Sequence, residues 1–562
     1  MLQSFARRLQ RNAWERHLLF WLATLGSLLI MGYYFGTFDQ FVHIPFLKKY
    51  ADPTLFPNDP FLELRRENYS YFWLAFGPLW RLGLLEPVML GVHVLATYLT
   101  FWGLWELSLT LFGNPLAALL STVAFVIPHL GFAGFPVFEF SLLNRTFALP
   151  FAVGALLLYL RGRPLRAFFL LGVLYNVHVI TVNFVVGMLV ADALLRLREG
   201  GWRRLALGLP LFALGAAPVL VWRLTSPALR AELNPEWFEV VARGSLYNLF
   251  FLIAPYLHIL FVTFSGLSTL ALYFLARRSA PSPDHERTVL HFHLAISLIL
   301  TVQAVTALVY PVTILNQLQI IRAGLWANVF GYLYFGHLLA RRWEARADSR
   351  ADWGVLAATY IGSPLPFVPL ITLGLQTGLR AWRWRNLAAG AVSIGVLAFA
   401  MTIVIPLNLW QPGFYPYGPR TAWEAIQLCA RDNTPKDALF VTPPEKWWLY
   451  YSDWRTFSER STVVTHSELL MIALAPGYYD AWKARFEQLV PGVLEQFAGD
   501  FFANQRLTRD AYNARPPEAL IAFAQRYQAQ YIVMEQPHTL PLAEAAWACN
   551  QANPEYRVYV VP

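Results

Sequence analysis

The chain has 562 residues, 56% of them hydrophobic and only 14% charged, with 44 basic against 35 acidic side chains and a formal net charge of +9. This composition excludes an ordinary soluble protein and points to a membrane protein with many spans. It gives no nucleic-acid signal, because the basic residues fall in short clusters between apolar runs, where orientation in a membrane puts them.

In chain order, MLQSFARRLQRNAWERH carries four arginines ahead of an apolar run. That run is about one span long and reads as a retained first helix with a cytoplasmic start, not as a signal-peptide core. Hydropathy predicts about 13 crossings, at 17–36, 88–112, 115–134, 147–160, 165–177, 180–195, 204–222, 246–276, 289–312, 323–340, 353–363, 366–379 and 387–405. Starting inside, this parity leaves the arginine clusters at 161–166, 196–204, 276–287, 341–350 and 380–385 in the cytoplasm. All five lysines, Lys48, Lys49, Lys436, Lys446 and Lys483, fall on the opposite side, a split the sequence does not explain. The first outer loop, 37–87, contains the aromatic stretch YSYFWLAFGPLWRLGL (69–84), which is too interrupted for a crossing and is expected to form an interfacial helix.

Beyond a Pro/Gly/aromatic hinge at 408–419 the composition becomes that of a soluble domain. β-type runs at 438–442, 461–465, 531–535 and 556–561 alternate with helical stretches at 421–431, 480–505 and 516–528, predicting a small three-layer α/β domain. The expected architecture is therefore a polytopic α-helical transmembrane domain, 1–407, followed by an extracytoplasmic α/β domain, 408–562. The two cysteines, Cys429 and Cys549, indicate no metal cluster. A disulfide in an oxidising compartment and two buried thiols both remain open.

Chemistry concentrates in Thr37–Pro60, which holds three aspartates, a histidine and two lysines. Asp39 lies just past the first helix with His43 four residues on; a carboxylate half shielded by lipid-facing aromatics would have a raised proton affinity and serve as a general base. The competing reading is a polar helix cap. Asp52 and Asp59 belong to DPTLFPNDP, where Asp and Asn before Pro shape turns. Three carboxylates also leave open a divalent cation held by oxygen ligands. Further outer-face candidates for substrate binding are His129, Glu139, Arg145, Asn176, His178 and Arg322. Arg145 and Arg322 in apolar surroundings need a carboxylate, a carbonyl or a ligand phosphate; an ion pair with Glu139 or Asp39 is weighed equally with a ligand. For His178, near a hairpin apex, satisfying freed backbone groups is favoured over substrate binding. No H-E-x-x-H, G-x-S-x-G, P-loop or G-x-G-x-x-G pattern supports a hydrolase or a nucleotide site.

An Asp just beyond the first span (Asp39 in FDQFVHIPFL), an interfacial stretch at 69–84, an N-x-H hairpin (Asn176, His178) and a C-terminal far-side domain together resemble the GT-C superfamily of integral-membrane glycosyltransferases. DPTLFPNDP and the run NTPKDALFVTPP…FSERSTVV (433–464) are similar to bacterial members of uncharacterised activity. The resemblance implies an inverting transfer from a polyprenyl-phosphate-linked sugar to an acceptor hydroxyl, with Asp39 as base and Arg145 or Arg322 on the phosphate. It implies a bacterial plasma membrane, lipid partners, and a glycan, lipid or protein acceptor. Many members pair two acidic residues in the first loop; here Asp39 is followed by Gln40, which argues against a paired-carboxylate or metal mechanism. A non-catalytic membrane scaffold or lipid-binding protein is the alternative, and a transporter a third.

Overall fold

The computed structural model describes residues 2–57, 59–131, 136–226, 235–244, 255–309, 312, 315 and 317–562. Among them, four helices are long and apolar enough to cross a membrane: Leu85–Phe112, Gly201–Thr225, Pro283–Thr306 and Arg385–Val404. The molecule is an integral membrane protein. The second and fourth of these turn Leu207, Leu214, Leu224, Leu387, Ile394 and Phe399 outward, as lipid-facing helices must.

Several other predicted crossings are helices of 10–17 residues: Pro115–Ala124, Asn144–Leu160, Pro164–Tyr175, Val179–Leu195 and Phe367–Gly378. Length therefore does not bear out a count of thirteen. The helix expected over 115–134 ends at Ala124. Residues 246–254 of the span expected at 246–276 lie outside the described residues, and Pro255–Ala276 is helical. Small residues let the short helices pack closely: a Cβ on Gly172, in Pro164–Tyr175, would lie 2.3 Å from the Phe212 carbonyl oxygen of Gly201–Thr225.

The first long helix, Ala13–Met31, stops five residues earlier than the expected 36. Gly32 turns the chain at φ +79°, and a Cβ there would lie 2.4 Å from the Gly413 carbonyl oxygen; only glycine allows both. The released chain forms β1 (Tyr33–Tyr34), which pairs in parallel with β2 (Phe414–Tyr415) of the hinge. Trp410 Nε1 also donates to Ile30 O at 2.7 Å, so the helix end and the hinge are tied together.

The polar C-terminal part is built on a four-stranded sheet, β3 (Leu439–Val441), β4 (Ser461–Thr462), β5 (Tyr531–Glu535) and β6 (Tyr556–Val560), in the order β4-β3-β5-β6. Only the β5–β6 pair is antiparallel. The helix expected over 480–505 is two, Tyr479–Leu489 and Phe501–Asn513, because Pro491 and the left-handed Gly492 and Gly499 break it. On one side of the sheet Ile426, Phe440, Trp454 and Val558 pack together. On the other, Val441, Trp447, Trp482 and Ile532 share a core with Phe41, Phe46, Phe61 and Leu62 of the loop expected over 37–87. That core crosses the boundary expected at 408: the loop completes the C-terminal unit. Cys429 and Cys549 form a disulfide between Ala422–Asn433 and Ala548–Ala552.

The stretch 69–84 is not one interfacial helix. It forms Tyr71–Leu74 and Gly77–Arg81, broken before Pro78, and it buries Phe72 and Trp73 against the protein instead of offering them to headgroups.

Candidate functional site

Asp39 occupies the N-cap position of a separate helix, Gln40–Ala51, and does not extend the first one. Gln40 pins this turn from both sides: its Oε1 accepts from Gly36 N at 2.7 Å and its Nε2 donates to Leu142 O at 2.7 Å. The second contact brings the turn beside Arg145, second residue of Asn144–Leu160. Arg145 donates from Nη1 to Asp39 and holds Glu139 in a two-pronged grip, Nε to Oε1 at 2.6 Å and Nη2 to Oε2 at 2.8 Å. Its guanidinium lies 5.3 Å from the centre of the Phe38 ring.

A guanidinium has five N–H donors, and these contacts use three of them. Side-chain exposure is 12% for Arg145 and 13% for Glu139 but 28% for Asp39, so the cluster is open at the Asp39 edge. Burial alone would raise the proton affinity of Asp39; Arg145 and Arg322 more than offset it, and the carboxyl is held below its ordinary value. This reverses the expected raised affinity, because the neighbouring cations outweigh the shielding.

His43 lies one turn along the same helix. Its ring stacks on Trp73 with centroids 4.5 Å apart, and Nδ1 meets Asn68 Nδ2 at 3.0 Å. Burial, helped by Arg145 and opposed by Asp39, pushes the imidazole down to about 4, so it is neutral at ordinary pH. The Asn176–His178 hairpin reaches the same place through its backbone: Tyr71 N donates to Asn176 O at 2.9 Å and Ser70 Oγ to Val177 O at 2.7 Å. His178 caps Val179–Leu195, its Nδ1 accepting from Thr181 N at 3.2 Å, while the Asn176 side chain serves Gly215 O and Val219 N. Both do what a hairpin apex requires. His178 nevertheless lies within the electrostatic reach of Asp39, His43, Arg145 and Arg322, the last carried by the turn Ile320–Ala323.

His129 does not share these partners: its Nδ1 faces Ser363 O at 3.0 Å, its ring stacks 3.7 Å from Tyr332, and it is fully buried. Nor do the three loop carboxylates gather around a cation. Asp39 faces Arg145, Asp52 pairs with Lys436 at 2.7 Å and Asp59 with Arg455 at 2.5 Å. Among the described residues no three His, Cys, Asp or Glu side chains are grouped to hold a metal.

Sequence reasoning missed the aromatic side of the site. Phe38 packs against Phe140 at 5.6 Å and against Trp448, from the C-terminal part, at 5.5 Å. The only signal in the sequence was the dense run WWLYY at 447–451.

A family model described as a domain of unknown function (DUF6798) matches residues 421–489, which include β3 and β4. No curated protein matches the chain. Among solved structures, ArnT from Cupriavidus metallidurans in the apo state is similar at 14% identity and a TM-score of 0.43, covering 97% of this chain and 96% of that one. The same protein bound to undecaprenyl phosphate is similar at 13% identity and a TM-score of 0.41, covering 98% of this chain and 97% of the other.

Proposed function

We propose that the chain is a GT-C-like membrane glycosyltransferase that transfers a sugar from a polyprenyl-phosphate-linked donor to an acceptor hydroxyl, on the extracytoplasmic side of a bacterial plasma membrane. One observation carries this reading. Asp39, His43, Glu139, Arg145, His178 and Arg322 come from four separate segments into one electrostatic cluster whose exposed edge is a carboxylate. The orientation is supported by the disulfide, which suits an oxidising compartment, and by the arginine clusters of the connecting loops.

The chemistry follows from charge. The two N–H donors left on Arg145, with Arg322, offer the donor phosphate a cationic seat. A bound phosphate brings negative charge beside the guanidinium that holds Asp39 down, so the proton affinity of Asp39 rises when the donor is in place. Asp39 then takes the proton of the acceptor hydroxyl; that oxygen bonds to the anomeric carbon from the opposite face; and the carbon–oxygen bond to phosphate breaks, its electron pair leaving with the polyprenyl phosphate. The arginines stabilise the departing anion. His43 and His178, neutral or capping, hydrogen-bond and shape the pocket without carrying charge.

The second reading is a non-catalytic scaffold, favoured by how fully Glu139 and Asp39 already neutralise Arg145. The two are separated by purifying the protein with its native lipid and assaying transfer in vesicles. Asp39→Asn is expected to lower kcat by about 100- to 10,000-fold, the range of a lost general base, while polyprenyl phosphate still binds. Full turnover in Asp39→Asn ends the base assignment; a wild-type protein that binds no polyprenyl phosphate leaves the scaffold standing.

A further inference from the structure

The aromatic wall beside the ionic cluster has no task in the transfer chemistry described above. Phe38 and Trp448 are both partly exposed, unlike the buried Trp447 and Trp482 behind them. The wall is rigidly backed: Trp448 packs edge-on against Phe501 at 4.9 Å, and the chain turns immediately after it through Leu449, held at φ +52°. A non-glycine residue in that region costs roughly 1 kcal/mol or more, which the surrounding packing must over-determine. The indole N–H groups of Trp423, Trp447 and Trp482 donate to Ser452 O, His466 Nδ1 and Thr465 O. That of Trp448 is shielded from solvent and, like those of Trp73, Trp105 and Trp454, has no partner among the described residues, so the ring offers a ligand its carbon face only.

We infer that Phe38 and Trp448 form the seat for the sugar ring of the lipid-linked donor, so that the C-terminal part selects the sugar while the membrane part holds its phosphate. The inference rests on the glycosyltransferase reading above. The spacing supports it: the Arg145 guanidinium lies 5.3 Å from the Phe38 ring, and Phe38 lies 5.5 Å from Trp448. A sugar esterified to a phosphate on Arg145 therefore extends over the neighbouring rings. Its apolar C–H face stacks on the exposed aromatic carbon of the two rings.

The test uses the full-length protein in nanodiscs and measures affinity for undecaprenyl phosphate, bare and as its hexosyl and pentosyl monoesters. Wild type is expected to bind at least one glycosylated lipid about tenfold more tightly than the bare one, the size of one aromatic contact. Trp448→Ala should lose that gain and keep its bare-lipid affinity within about twofold. Trp448→Phe, which keeps an aromatic ring in the fold, should retain stacking and most of the gain. A gain that survives in Trp448→Ala, or no gain for any glycosylated lipid in wild type, overturns the sugar seat while leaving the phosphate site intact. Failure of wild type to bind even the bare lipid overturns the underlying glycosyltransferase reading instead.

Discussion

Asp59, in the segment between Gln40–Ala51 and Tyr71–Leu74, accepts a 2.5 Å hydrogen bond from Nε of Arg455, a residue 396 positions later and completely buried. Asp453 and Glu468 flank the same guanidinium at 3.4 and 2.7 Å. One cation thus joins the segment carrying Asp39 to the C-terminal part that carries Trp448, and the two walls of the site are tied to each other by this lock. Burial of paired charge adds little net stability, but removing the guanidinium that all three carboxylates contact is severe. Arg455→Met is expected to cost about 3–5 kcal/mol of unfolding free energy in detergent. Asp59→Asn, which leaves Arg455 two carboxylates, should cost about 1–3 kcal/mol. Equal losses for the two variants would show that the lock is not centred on Arg455.

The lysines sort by the same logic. Lys48 is 6% exposed and donates to Thr456 O at 2.9 Å and Glu459 Oε1 at 2.7 Å, bracing the Gln40–Ala51 helix against Trp454–Ser458. Lys436 reaches Asp52 at the same 2.7 Å but its side chain is 56% exposed. Lys48→Met is expected to cost about 3 kcal/mol, because Glu459 is left partly buried and unpaired; Lys436→Ala should stay within about 1 kcal/mol. Parallel thermal melts of the two variants decide it, and comparable losses would contradict the difference in burial.

How much of this was legible in the sequence depended on whether the signal was local. The strands at 438–442, 461–465, 531–535 and 556–561 were found within a few residues because β-branched runs between turn residues are a local pattern. Asp39 and Arg145 stood out because charge in an apolar context needs a partner, and Glu139 was foreseen as one such partner. The Asp59–Arg455 contact had no such trace, since nothing near either residue encodes a pairing 396 positions apart. The burial of His129 against Tyr332 was not legible, because position along the chain carries no information on packing between distant helices. The break at Gly32 was missed because hydropathy runs on through Tyr33–Phe35, whereas the turn is required by the close approach of Gly413. The lysine split, unexplained by sequence, now has a partial account: Lys48, Lys436, Lys446 and Lys483 each reach a carboxylate within the C-terminal part or bridge to it.

Glu445 makes stability depend on pH. It is 8% exposed, and neither carboxyl oxygen has a hydrogen-bond partner among the described residues. Burial, opposed by Lys446 at 3.7 Å, pushes its carboxyl up to about 7 from an ordinary 4.5. Between those two values the folded state binds the proton that the unfolded state has released, so stability falls as pH rises through the window and stays low above it. The loss attributable to Glu445 is at most about 3 kcal/mol. Burial also raises Glu468 to about 7, with the same sign. Glu445→Gln should therefore stabilise the protein at pH 8 and remove roughly half of the slope between pH 5 and 8. A melt series in which Glu445→Gln tracks wild type at every pH would rule this out.

The pH dependence of transfer tests the electrostatics of the site directly. In the free protein Asp39 is held below its ordinary carboxyl value, after burial is outweighed by Arg145 and Arg322, and His43 is pushed down to about 4, chiefly by burial. Neither group changes charge between pH 5 and 8, so kcat/KM, which reports the free enzyme, should show no acid limb from them above about pH 5. A donor phosphate seated on Arg145 weakens the field that depresses Asp39, so the acid limb of kcat should lie at higher pH than that of kcat/KM. Glu139→Gln supplies the control. It removes the anion that shares Arg145 with Asp39, strengthens the cationic field on Asp39, and should shift the kcat limb back down while lowering kcat itself, because a less basic carboxylate is a poorer proton acceptor. A limb near 6.5 in kcat/KM that disappears in His43→Gln would instead make the histidine the titrating base and Asp39 its partner.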